Sequence, residues 1–114
     1  MRNNKHKKLT LTIGIPTYYG GESLVKTVES ISKFKNVYDV RIIVSVDGKK
    51  LDKHIYNPLK KYGVKIVENK IRGGQVARIN QIITMCETDI IILTQDDIIF
   101  TSSTIDEIMY GFEN

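Results

Sequence analysis

The chain has 114 residues, 41% of them hydrophobic and 26% charged, the balance of a globular domain with a packed core. At that length one domain is expected, burying roughly two-thirds of its unfolded surface, and no apolar run approaches the roughly 20 residues that a membrane-crossing helix needs. The formal net charge of +4 equals the charge of Arg2, Lys5, Lys7 and Lys8, so the rest of the chain is neutral. Residues 1–8 therefore read as a disordered basic tail, and with no base-stacking aromatic pattern beside it nucleic acid is excluded as a partner. Cys86 is the only cysteine, which excludes a disulfide framework and a CxxC site and suits a reducing, cytoplasmic compartment, with membrane association left open. The tail and the apolar residues after it lack a small-residue cleavage site and do not read as a secretion signal.

Residues 9–16 (LTLTIGIP) predict a first strand, β-branched residues giving way to a proline that cannot donate to the ladder. Tyr18, Tyr19, Gly20 and Gly21 form a loop, and Glu22 opens a helix with Leu24, Val25, Val28 and Ile31 on one face, its acid suiting the helix dipole. Residues 40–46 (VRIIVSV) predict a second strand that runs into Asp47 and Gly48. A weaker helix is expected over 51–62, interrupted or shortened by Pro58, and a short third strand over 64–67. A loop carrying Arg72, Gly73 and Gly74 follows. From 75 to 87, Val76, Ile79, Ile83 and Cys86 recur at helical spacing.

The segment 89–100 (DIIILTQDDIIF) is an apolar run ending in two adjacent carboxylates. It reads as a strand covered on both faces, with Asp96 and Asp97 where it surfaces. A helix over 104–112 closes the series. Strand and helix alternate four times, which predicts a single α/β unit: three αβα layers around a mostly parallel sheet of about four strands, Rossmann-like in its winding.

In such a sheet all carboxyl ends share one rim, where open α/β folds place their ligands. That rim collects Thr17 to Tyr19, Asp47, Arg72 to Gly74, and Asp96 with Asp97. An aromatic ring stacks on a base, a lone acid accepts from a base N–H, a cation meets phosphate, and an acid pair holds a divalent metal. Each residue also has a plainer use: Tyr18 or Tyr19 as cover for the first helix, Asp47–Gly48 as a turn pair, Arg72 as a solvated charge, Asp96–Asp97 as a cap. Together they suit a nucleoside diphosphate.

The segments IGIPTYY, Ser30–Ile31, IIVSVDG, Ala77-Arg78-Ile79-Asn80 and the closing Gln-Asp-Asp also resemble, in order, the nucleotide-binding half of the family 2 glycosyltransferases. The resemblance implies the GT-A fold and inverting transfer from a nucleotide-diphospho-sugar, expected to be a UDP-sugar, with manganese or magnesium. It implies that Pro16, Thr17 and Tyr18 line the base pocket, that Asp47 contacts the base, that Asp96 meets the ribose and that Asp97 binds the metal. Arg78 falls on a basic position that approaches the diphosphate or holds Asp47 or Asp96, and Arg72 and Gly74 are phosphate-binding candidates.

Gln95 stands where the family's metal motif has its first acid, and Val46 where the second strand commonly ends in an acid. The resemblance implies a domain over 9–114 without the acceptor-binding half, so no general base is assigned, little activity is expected of this chain alone, and the saccharide, lipid or protein acceptor stays open. The alternative is a noncatalytic nucleotide-sugar-binding or scaffold domain. A phosphorylated receiver would carry its acid pair after the first strand, where Thr17 and Tyr18 stand, and a sugar nucleotidyltransferase would carry a Gly-rich loop there.

Overall fold

A computed structural model describes residues 9–35 and 37–113, with the last of these through its backbone only. The basic tail predicted for residues 1–8 lies outside the described residues. Elements follow in the order β1 (Thr10–Thr17), α1 (Glu22–Ser32), β2 (Asp39–Val46), α2 (Lys53–Lys61), β3 (Lys65–Glu68), α3 (Gln75–Met85), β4 (Ile90–Leu93) and α4 (Ser102–Glu113). The four strands form one sheet in the order β3-β2-β1-β4, every pairing parallel. All carboxyl ends consequently meet on one rim.

Alternation along the strands divides the sheet into two unlike faces. Leu11, Ile13 and Ile15 of β1 and Val40, Ile42, Val44 and Val46 of β2 share one core with Leu24, Val28 and Ile31 of α1, Ile55 and Leu59 of α2, and Ile105 and Met109 of α4. Each such side chain contributes about 1.5–3 kcal/mol when removed from water, enough to hold β-branched residues in α1 and α4 against their modest helix propensity. The other face presents Thr12 and Gly14 of β1 and Ile43 and Ser45 of β2, and α3 lies against β1 and β2 there. Gly14 permits that approach, since a Cβ on it would stand 2.4 Å from Ile82 Cγ2.

The element order agrees with the sequence, but three details differ. The helix α2 runs through Pro58, with Ile55 and Leu59 buried on either side of it, and begins only at Lys53 because Asp52 before it is extended, at φ −64° and ψ 151°. The strand β4 is four residues long rather than an extended run, and it is not covered on both faces: only Ile90 is buried, and Leu93 is 39% exposed. Among the described residues it pairs with β1 alone, which leaves it at the sheet edge. Finally, α3 does not bury the apolar stripe its periodicity marks. Val76 and Ile83 are exposed while Ile82 is fully buried, because Gly14 and the polar Ser45 fix which side of the helix meets the sheet.

Candidate functional site

At the carboxyl rim a cleft of about 250 Å³ is lined by Pro16, Thr17, Tyr18, Asp47, Gln75, Arg78, Gln95, Asp96 and Asp97. It lies across β1, the central strand whose two neighbours wind in opposite directions, the switch point at which parallel sheets open a crevice. The end of β1 supplies its floor. Thr17 is 4% exposed, and its hydroxyl donates to Asp96 Oδ2 at 2.5 Å while accepting the Gly20 N–H at 3.0 Å. One side chain thus ties the β1 loop to the acid pair.

Asp47, just past β2, is 5% exposed and gathers the opposite wall. Its Oδ1 accepts the Gly73 N–H at 2.8 Å and the Gly74 N–H at 3.2 Å, and its Oδ2 also lies 3.2 Å from the Gly74 nitrogen. Arg78 Nε stands 3.3 Å from Oδ1 and Arg72 Nε 3.9 Å from Oδ2. Arg78 Nε makes this ion pair without an aligned hydrogen bond. The Gly73 N–H holds the Asp47 carboxyl below its ordinary range; burial opposes this, and Gly74, Arg78 and Arg72 reinforce it.

Tyr18 stands at the mouth of the cleft, 41% exposed, with Tyr19 edge-on at 5.1 Å between centroids. Arg72 lies over the Tyr18 ring at 4.4 Å and Lys49 at 5.8 Å, both within cation–π range. The acid pair sits beyond β4, where the Thr94 N–H still bonds Gly14 O at 3.0 Å. After it the chain is pinned again, with Phe100 buried and its N–H donating to Ser30 Oγ at 2.9 Å. Between these anchors Asp97 is exposed.

Seven of the nine expected residues line this one cleft: Pro16, Thr17, Tyr18, Asp47, Arg78, Asp96 and Asp97. The two phosphate candidates do not. Arg72 covers Tyr18 with its side chain 70% exposed, and the Gly74 N–H is engaged by Asp47 while its φ of +88° makes the turn into α3. Gln75 and Gln95 line the cleft without having been singled out as site residues. Gln75 is the first residue of α3, and the rim rule reaches it once helix starts are included with strand ends. Gln95 was visible only as a missing acid.

Among the described residues no three His, Cys, Asp or Glu side chains cluster as a metal cage. The donor set nevertheless fits a hard divalent cation of the kind that keeps several waters and shares a diphosphate, because such an ion takes one or two carboxylates from the protein. Asp97 offers one to solvent, and Asp96 offers the oxygen not bonded by Thr17.

An all-parallel αβα sheet with a polar, acid-bearing cleft at its switch point is an α/β fold of the GT-A type. The profile of the family described as glycosyl transferase family 2 matches residues 12–114, and the chain belongs to that family. No curated protein sequence matches it. Among solved structures it is similar to the mannosyltransferase PcManGT from Pyrobaculum calidifontis in complex with GDP-Man and Mn2+, with a TM-score of 0.74, 14% identity, and coverage of 96% of this chain and 33% of that one. It is similar to S. aureus TarS, at TM-score 0.77 and 14% identity over 92% of this chain and 20% of that one. A third is glucosyl-3-phosphoglycerate synthase from Mycobacterium tuberculosis in complex with Mn2+, UDP and glucosyl-3-phosphoglycerate, at TM-score 0.62 and 14% identity over 82% of this chain and 35% of that one. The chain thus spans about a third or less of the length of these proteins. No helix among the described residues is long and apolar enough to cross a membrane.

Proposed function

We propose that this chain is the donor-binding domain of a glycosyltransferase and binds a nucleotide-diphospho-sugar, a UDP-sugar in the first instance, for inverting transfer to an acceptor not yet identified. The observation that carries the reading is the cleft itself, which gathers a ring, a buried acid, a cation and an acid pair from four separate segments. Tyr18 stacks on the base, and Pro16 and Thr17 close the wall beside it. Asp47 faces the base, and Arg78 sets the charge around Asp47 and approaches the diphosphate.

Asp96, oriented by the Thr17 hydroxyl, takes the ribose, and Asp97 holds the metal, manganese or magnesium. When bound, the metal neutralises diphosphate charge and so favours departure of the nucleotide. Two of the similar structures contain Mn2+, one with GDP-Man and one with UDP, which supports a metal-assisted nucleotide site. The single cysteine is in keeping with a reducing, cytoplasmic setting, and the base, the sugar and the acceptor are open to experiment.

Calorimetric titration with UDP and with GDP, each with manganese, tests this directly. Binding that needs the metal and is lost in Asp97→Ala is expected; folded wild-type protein that binds neither nucleotide ends the proposal. Gln95 favours one second reading, a nucleotide-sugar-binding domain without transfer. That reading predicts metal-dependent binding with no release of UDP from UDP-sugars by the complete protein.

A further inference from the structure

We infer that Ser45, Asn69 and Gln81 form a positioning unit for the cleft, one that holds the 69–74 loop and the start of α3 in register with Asp47. Resting on the nucleotide-binding reading above, it assigns a role to three residues that do not line the cleft. The three come from three elements. Ser45 is a fully buried residue of β2, two positions before Asp47; Asn69 follows β3 and begins the loop of Arg72, Gly73 and Gly74; Gln81 is one turn beyond Arg78 on α3.

Their hydrogen bonds form a closed set. Ser45 Oγ donates to Gln81 Oε1, and Gln81 Nε2 donates to Asn69 Oδ1 at 2.8 Å. Asn69 Nδ2 faces Gln81 Oε1 and Ser45 Oγ, each at 3.2 Å, and donates to Val46 O at 2.8 Å, while the Asn69 N–H reaches the same carbonyl at 3.1 Å. The two amides are reciprocally paired, so neither can turn without breaking both bonds.

A polar set on a sheet face is not needed for burial, since Gly14 on the same face meets Ile82 of α3 by packing alone. What it adds is direction. Apolar contacts tolerate sliding and rotation of a helix, whereas a reciprocal, part-buried amide pair has one geometry in which both of its bonds are made. That geometry turns α3 to put Arg78 and Gln81 on the sheet side together with Ile82. It also starts the loop at a fixed point, so that five residues later Gly74 meets Asp47. Asp47 is then held by groups from the two elements that the unit joins, and slack in the unit appears as slack at Asp47.

The test uses the variant Ser45→Ala/Asn69→Leu/Gln81→Met, which removes all partners at once. Replacing a whole hydrogen-bonded set by apolar groups of similar size is close to neutral for stability, and Val46 O keeps the Asn69-position backbone N–H. Two readouts are taken. Amide hydrogen exchange at Gly73 and Gly74, observed by NMR, reports their capture by Asp47 whether or not a nucleotide binds. It is expected to quicken by about tenfold or more in the variant, with exchange in β1 unchanged. Affinity for UDP and GDP with manganese is expected to fall by about tenfold, the loss that about 1.4 kcal/mol of disordering at the site produces.

The swap Asn69→Gln/Gln81→Asn keeps a reciprocal amide pair of the same total length and is expected to retain more of the protection than the apolar variant. Unchanged Gly73 and Gly74 exchange in the apolar variant overturns the inference. If that variant does not fold, Gln81→Met is compared with Ile82→Val, a lesion on the same helix. Faster exchange at the two glycines in Gln81→Met alone supports the unit, and equal exchange in both overturns it. Wild-type protein that binds neither nucleotide refutes the donor-binding reading, and the exchange result still decides whether the unit positions the loop.

Discussion

Replacing Gly14 by alanine measures how closely α3 lies on the sheet. The new Cβ would stand 2.4 Å from Ile82 Cγ2, 3.2 Å from Leu93 Cδ2 and 3.4 Å from Ile82 Cδ1. The first of these is about 1 Å inside an ordinary carbon–carbon contact. Ile82 is fully buried, and its β-branched side chain has one strongly favoured χ1 in a helix, so the Cγ2 methyl cannot swing away. Overpacking of this kind costs about 1–3 kcal/mol, and removing glycine's freedom from the unfolded chain returns about 0.4–1 kcal/mol at a backbone that accepts alanine. Gly14 has no positive φ, so that return applies.

The net expectation is a loss of about 1–2 kcal/mol, or about 4–8 °C in Tm for a domain of this size. Urea unfolding of single and double variants gives the sharper result. Ile82→Leu moves the branch away from Cβ and deletes the offending methyl, so Gly14→Ala/Ile82→Leu should recover most of the loss, whereas Ile82→Val keeps Cγ2 and should not. Gly14→Ala as stable as the wild type, or equal rescue by valine and leucine, would refute the close approach that brings Arg78 and Gln75 to the strand ends.

Two further outcomes follow from the cleft. Tyr18→Ala should weaken nucleotide binding about tenfold to a hundredfold, the measured range for an aromatic ring that stacks on a base, while Tyr18→Phe stays near wild type; equal affinities for all three in calorimetry would remove the stacking role. Asp47 has a folded pKa below its ordinary value of 3.8, so its contribution to stability is complete above that value and is lost as pH falls through the lower folded value. Urea unfolding from about pH 6 down to about pH 3 should therefore show the advantage of wild type over Asp47→Asn shrinking only at the acid end, and a constant difference would contradict the pairing.

Much of the fold is legible in the sequence because each strand and helix carries its own local signal. The β-branched runs at 10–17 and 39–46 and the apolar spacing of Leu24, Val28 and Ile31 need no tertiary context. The choice of face on α3 does need it. Val76, Ile79 and Ile83 form the better apolar stripe, yet a glycine on β1 and a serine on β2, remote in sequence, decide that Ile82 and Gln81 meet the sheet. Pro58 misleads for the same reason, since burial of Ile55 and Leu59 offsets its local penalty.

The candidate cleft is legible in the sequence to the extent that strand ends share a rim. That rule brings Thr17, Tyr18, Asp47 and the two aspartates together without any side-chain geometry. It does not say which carboxylates are already engaged. Asp47 is enclosed by Gly73, Gly74, Arg78 and Arg72, whereas Asp97 is open to solvent, and only the folded loop separates those two conditions. Arg72 and Gly74 follow from the same limit: both stand at the rim in sequence, but one is drawn over Tyr18 and the other is held by Asp47.

The most direct measurement is a crystal structure of the protein with UDP and manganese. The expected result is anomalous density for one manganese ion bonded to Asp97 and to the diphosphate, with the base against Tyr18 and the ribose at Asp96. A nucleotide seated elsewhere, or a diphosphate in the cleft whose metal does not touch Asp97, would contradict the proposed donor site.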